Sequence, residues 1–158
     1  HKIASQDNSF DAVFALSVLE HLEDEKWALA EIERVLKPGG IAVIMAPAYM
    51  FLWGVQDEAA HHYRRYTMGG LVKKIKESTS LEFVRTSYFN TFLFVPIALV
   101  RLVSRIFGIK GRESDFDINS PFLNKVFFSI FNTERKILNR VKFPFGVSIL
   151  AVLRKPGK

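Results

Sequence analysis

The sequence predicts an α/β fold organised on a parallel sheet, and three observations carry that expectation. Phe10 to Ser17, FDAVFALS, is a continuous apolar run of strand length, the kind buried on both faces of a parallel sheet. Glu23, Asp24 and Glu25 then crowd the first turn of a helix, where the macrodipole favours negative charge. After a Pro38-Gly39-Gly40 stop comes a second apolar run, IAVIMA, from Ile41 to Ala46. Strand, helix and strand in about 37 residues make a βαβ unit, so the two strands are expected to be parallel and joined by a right-handed crossover. A length of 158 residues is ample for one domain with a real core.

The elements follow in order from local pattern. Leu22, Leu29, Ile32 and Leu36 recur at near-helical spacing as the buried stripe of the first helix, with Lys26, Glu33, Arg34 and Lys37 toward water. Pro47 to Tyr66, PAYMFLWGVQDEAAHHYRRY, is a long connection, too aromatic for disorder and therefore expected to be functional. Thr67 is placed to cap a helix whose buried side is Leu71, Val72 and Ile75. Leu81 to Phe89, LEFVRTSYF, reads as a third strand. Phe92 to Val100 is uninterrupted and apolar, but Arg101 and Arg105 follow. The run falls short of the roughly 20 apolar residues a spanning helix needs. Gly108 to Asn119 is a polar linker. Ser120-Pro121 opens a further helix, with Leu123, Val126, Phe127, Ile130, Phe131, Ile137, Leu138 and Val141 as its stripe. Pro144 to Lys155, PFGVSILAVLRK, closes the chain as a strand.

Composition narrows the function classes. Cysteine is absent, which excludes disulfides, thiolate metal sites and a Cys nucleophile, and fits a reducing cytosol. Residues 1–60 hold four Lys/Arg against ten Asp/Glu, net −6, whereas residues 61–158 hold eighteen against six, net +12. Twelve of the fifteen Phe share that basic stretch. Basic residues interleaved with Phe point to an anionic, greasy partner, for which a membrane surface is the natural candidate. No helix-turn-helix, zinc finger or RNP-type motif accompanies the charge, so no nucleic acid partner is expected.

The string FDAVFALSVLEHLEDEKWALAEIERVLKPGG, Phe10 to Gly40, resembles the middle of class I S-adenosylmethionine-dependent methyltransferases, with its Phe-Asp-x-Val strand, Leu-Glu-His turn and helix running to Lys-Pro-Gly-Gly. HYRRYT, His62 to Thr67, and the closing strand resemble one branch of that family. The resemblance implies a Rossmann-like methyltransferase sheet, represented here by its C-terminal half, strands four to seven, with the last antiparallel between its neighbours. It implies one partial domain over 1–158 with a helical hydrophobic insertion or lid over 90–142. The glycine-rich loop would lie before His1, and the family's usual Gly is missing from KESTSLEF. The chain alone is therefore expected to be inactive.

What the resemblance implies for the site is equally specific. Leu16, Ser17 and Val18, with His21 close by, would flank S-adenosylmethionine. Glu20 reads as a solvated or loop-fixing carboxylate. His61, His62 and Asp57 are candidates for a catalytic base, since their side chains take up a proton near neutrality or orient one that does. Trp53, Tyr63, Arg64, Arg65 and Tyr66 are candidates for the acceptor. The alternative for Arg64 and Arg65 is that they pair with Asp57 and Glu58 and pin the loop. No metal is expected, because adjacent histidines rarely converge on one ion and no third ligand stands at helical spacing. The expected reaction is methyl transfer to a lipophilic or lipid-linked small molecule, at the cytoplasmic face of an anionic membrane. The alternative is a non-catalytic membrane-associated module derived from a methyltransferase.

Overall fold

A computed structural model describes residues 2–107, 120–138 and 140–157. β1 (Phe10–Leu16), α1 (Glu25–Val35) and β2 (Leu36–Pro47) form the βαβ unit, and the two strands are parallel. Asp24 caps α1 by accepting from the backbone N–H groups of Lys26 at 3.1 Å and Trp27 at 3.4 Å, donors a helix start would otherwise leave unpaired. The helix ends at Val35, short of the Pro-Gly-Gly stop, and Leu36 is already extended with ψ 137°. Pro38 disfavours helical backbone at Lys37, so Leu36 joins the core from β2 rather than from the helix stripe. Gly39 takes a left-handed φ of 79°, and its N–H donates to the carbonyl of Lys155 at 2.9 Å. That turn is thereby anchored beside the last strand, in a conformation glycine adopts without steric cost. Arg34 does not simply face water: it bonds Glu31, Asp7 and the carbonyls of Ile3 and Ser5, fastening the N-terminal segment to α1.

The remaining elements are α2 (Val55–Ala59), α3 (Met68–Ser78), β3 (Glu82–Phe89), α4 (Phe94–Ile106), α5 (Pro121–Leu138) and β4 (Ser148–Arg154). Thr67 caps α3, its hydroxyl accepting from Gly70 N–H at 3.1 Å. The sheet order is β1-β2-β4-β3, with β4 antiparallel to both β2 and β3. Ala42, Ile44 and Ala46 of β2 alternate with Ile149, Ala151 and Leu153 of β4 on one fully buried face. α1 and α3 pack together over this core through Leu29, Ile32, Leu71 and Ile75.

The opposite face departs from the sequence expectation. β1 is buried on one side only: Phe14 is 66% exposed and Leu16 50%, while Ala15 beside them is buried. Continuous apolarity marked a strand suited to burial on both faces, and here one face has no covering layer among the described residues.

α4 contains no buried residue, and the described side chains of the expected α5 stripe are at best half-buried, with Val126 and Phe131 exposed. The polar linker expected over 108–119 lies outside the described residues. Among the described residues of α5 the buried one is Glu134, whose carboxylate accepts from Thr91 N–H at 3.1 and 3.0 Å and from Phe92 N–H at 3.4 Å. This ties α5 to the chain entering α4. Glu134→Ala leaves those amides unpaired in a buried place, and the expected loss is about 1–3 kcal/mol in urea unfolding. An unchanged midpoint would show that the tie contributes nothing. Among the described residues no helix is long and apolar enough to cross a membrane.

Ser17, Tyr49 and Asn90 lie within two residues of the carboxyl ends of β1, β2 and β3, and all three take left-handed φ values, of 52°, 57° and 58°. Such backbone costs about 1–3 kcal/mol for a residue like Ser or Tyr and persists where the surroundings over-determine it. The three strands run the same way, so these turns gather at one end of the sheet.

Candidate functional site

Two segments meet there. Beyond β1, Ser17 N–H donates to the Met45 carbonyl at 3.0 Å, and Leu19 to His21 form a single 3-10 turn. The second segment is the 47–66 connection, which holds the short turn Met50–Leu52 and α2. They are joined by backbone: Tyr63 N–H donates to the Glu20 carbonyl at 2.8 Å.

Asp57 organises the connection. It is fully buried and accepts from Gly54 N–H, His62 Nδ1 and Arg65 Nε, each at 2.8 Å. Burial alone would push its carboxyl up, but Arg65, His62 and the Gly54 amide together hold it below the ordinary aspartate value. Arg65 also donates to the Ala48 carbonyl at 3.2 Å. Arg64 pairs with Glu25 of α1 and not with Glu58; it also donates to the Glu23 carbonyl at 2.8 Å, and its guanidinium carbon lies 5.8 Å from the Tyr63 ring centroid. Lys74 of α3 reaches Glu25 at 2.9 Å, so a buried carboxylate links α1, the connection and α3. Burial pushes the Glu25 carboxyl up, but Lys74 and Arg64 hold it net below its usual value.

The other sequence candidates are scattered by comparison. Tyr66 is packed in the core with its hydroxyl unpaired among the described residues, and burial followed by the Glu25 charge pushes its phenol up. Trp53 is half-buried, Tyr63 exposes its ring, and His61 sits exposed with φ 53°. His62 instead faces His21, the ring centroids 4.5 Å apart and nearly perpendicular at 78°.

Glu20 departs from the first of its two sequence readings, the solvated one. It is 1% exposed rather than solvated, and neither carboxylate oxygen has a hydrogen-bond partner among the described residues. Burial pushes its carboxyl up, and the nearby His62 and His21 act against that push. Donor atoms of Glu20, His21 and His62 all lie within 4.8 Å of one another. Sequence spacing showed His61-His62 and missed this grouping, because its members lie about 40 residues apart and meet only when two loops leave the same end of the sheet.

Beside the polar group lies an aromatic cluster. Tyr49 stacks on Tyr88 at 5.2 Å and on Phe51 at 5.2 Å, and Phe94 meets Phe145 at 5.3 Å. Tyr88 Oη accepts from Met68 N–H at 2.9 Å, so that ring is fixed. Burial and the stacked Tyr88 push the Tyr49 phenol up.

Residues 1–44 match the model of a methyltransferase domain family. Among the solved structures that share the fold are the following three. A Bacillus halodurans protein assigned as a methyltransferase is 23% identical, with a TM-score of 0.57, covering 98% of this chain and 68% of that one. A S-adenosylmethionine-dependent methyltransferase from Archaeoglobus fulgidus is 16% identical, with a TM-score of 0.51 and coverages of 96% and 62%. The 4+2 cyclase SpnF is 21% identical, with a TM-score of 0.53 and coverages of 99% and 53%. The chain therefore shares the Rossmann-like fold of these proteins. It spans about half the length of the cyclase and 68% of the Bacillus protein. That a cyclase shares the fold means the reaction has to be argued from the site.

Proposed function

We propose that this chain is part of a S-adenosylmethionine-dependent methyltransferase acting on a lipophilic or lipid-linked acceptor, completed by further strands of a longer polypeptide. The observation that carries the reading is the meeting of the Ser17–His21 turn with the loop of Asp57 and His62 at the carboxyl ends of parallel strands, where α/β sheets bind ligands. Leu16 and Val18, 50% and 41% exposed on either side of the left-handed Ser17, offer apolar contact suited to a cofactor's purine. The bound cofactor supplies an electrophilic methyl group on sulfonium sulfur. The protein's part is alignment: Ser17 to His21 place one reactant and the 47–66 connection the other, which removes the entropy of their meeting. Asp57 holds His62 through Nδ1 and leaves Nε2 for the acceptor side.

The lipophilic acceptor is supported by α4 and α5. Leu99, Val103, Ile106, Phe122 and Phe128 are exposed, on helices that also carry Arg105, Lys125, Arg135 and Lys136. Apolar side chains among cations suit an anionic membrane interface, with the basic stems reaching toward headgroups.

Calorimetric titration of S-adenosylhomocysteine into the full-length polypeptide is expected to show micromolar binding, and the 158-residue chain alone no turnover. Absence of binding by the full-length protein would remove the methyltransferase reading. Vesicles containing phosphatidylserine are expected to float the protein at low salt, less at high salt, and not after Phe122→Ser with Phe128→Ser. Flotation unaffected by that double substitution, or no flotation, would remove the membrane part.

A further inference from the structure

We propose that Glu20, His21 and His62 form a binding site for a divalent transition cation of the Zn²⁺ class. Two imidazoles and a carboxylate are the donor set such ions take when further positions stay open to water or substrate. All three donor atoms already lie within 4.8 Å of one another. Bonds of about 2.0–2.2 Å require donors about 3.0–3.5 Å apart, so the group closes by about an ångström. His21 is exposed and has room to make that movement.

Two independent observations point to an ion. Glu20 is 1% exposed with both oxygens unpaired, and among the described residues no Lys or Arg forms an ion pair with it. A buried carboxylate without a partner is costly and calls for positive charge. Neither imidazole hydrogen-bonds to the carboxylate. The second observation is Asp57, which binds His62 Nδ1 at 2.8 Å and is itself fixed by Arg65 and Gly54. A carboxylate behind a histidine, setting its tautomer and leaving Nε2 for the metal, is the usual support of a metal-ligating imidazole. The Tyr63-to-Glu20 backbone bond holds the loops in register, so the site costs little ordering. At the carboxyl ends of the strands, the ion's open positions would take an oxygen of the acceptor and lower its pKa, the charge effect a divalent ion exerts on bound oxygen.

The donor set stands whether or not the methyl-transfer reading holds. The full-length protein, stripped with chelator, is titrated with ZnCl₂ alone by calorimetry and with CoCl₂ by absorption. The expected result is one-to-one binding at micromolar or lower Kd, a rise in melting temperature, and visible Co²⁺ bands. His21→Ala and His62→Ala each weaken binding at least tenfold, whereas His61→Ala leaves it unchanged. His21 is exposed, so its substitution keeps the test valid even if a Glu20→Gln variant fails to fold. Binding weaker than millimolar, or binding indifferent to His21→Ala and His62→Ala, overturns the site. S-adenosylhomocysteine binding measured on the same protein separates the two readings. Cofactor binding without Zn²⁺ binding removes only the metal, and Zn²⁺ binding without cofactor binding removes only the methyltransferase.

Discussion

Asp57→Ala lowers the unfolding free energy by about 3–5 kcal/mol, because it leaves the buried Arg65 guanidinium without its carboxylate and unties His62 and Gly54 at the same time. The Arg65 side chain is 9% exposed, so water does not take over the carboxylate's role. The effect also has a pH signature. The folded carboxyl is held below its unfolded value, with Arg65, His62 and the Gly54 amide outweighing the upward push of burial. A depressed carboxyl contributes its full stabilisation above about pH 4 and loses it as pH falls through the folded value. The stability gap between wild type and Asp57→Asn is thus expected to be widest near neutrality and to shrink on acidification below about pH 4. Denaturant unfolding at a series of pH values measures it, and a gap constant with pH would mean that the carboxylate charge contributes nothing.

Ile44→Ala in the centre of the sheet costs about 2–5 kcal/mol, since the side chain is fully buried between β1 and β4 and its loss leaves a cavity under α1 and α3. Phe14→Ser, one residue pair away on the opposite face, changes stability in the 158-residue chain by only about 0.5 kcal/mol. The ring there is 66% exposed, so little transfer energy is at stake. In a longer polypeptide whose additional elements cover that face, a Phe14→Ala substitution costs about 3–5 kcal/mol instead. Thermal and urea unfolding of both substitutions, in both chain lengths, tests the sheet's two faces separately. A large cost for Phe14→Ser in the short chain would show that another copy of the protein covers the face.

Much of this could be read from local chemistry. The apolar runs at Phe10–Ser17 and Ile41–Ala46, the acidic helix start and the Pro-Gly-Gly stop placed β1, α1 and β2 to within a few residues, because each depends on neighbours along the chain. Thr67 as a cap and the antiparallel β4 between β2 and β3 were legible too, the latter through the resemblance. The depth of burial was not. FDAVFALS looks alike whether one or two layers cover it, and the stripe of α5 looks the same whether a core or nothing lies opposite. Periodicity reports which face is apolar and never what meets it.

The site divides along the same line. Sequence by itself determined the class of sheet and the residue types that its two end segments offer: His62 and Asp57 five residues apart, Arg65 close behind, His21 after the first strand. Only the tertiary structure decided which of them meet. It turned Arg64 toward Glu25 in a different element, left His61 on the surface, and brought His62 to His21 and to a buried Glu20 that the sequence left as a solvated or loop-fixing carboxylate. The physical reason is that a parallel sheet returns every βα loop to the same end. It thereby brings within 4.8 Å side chains that the covalent chain holds about 40 residues apart, and no pattern along the chain records that distance.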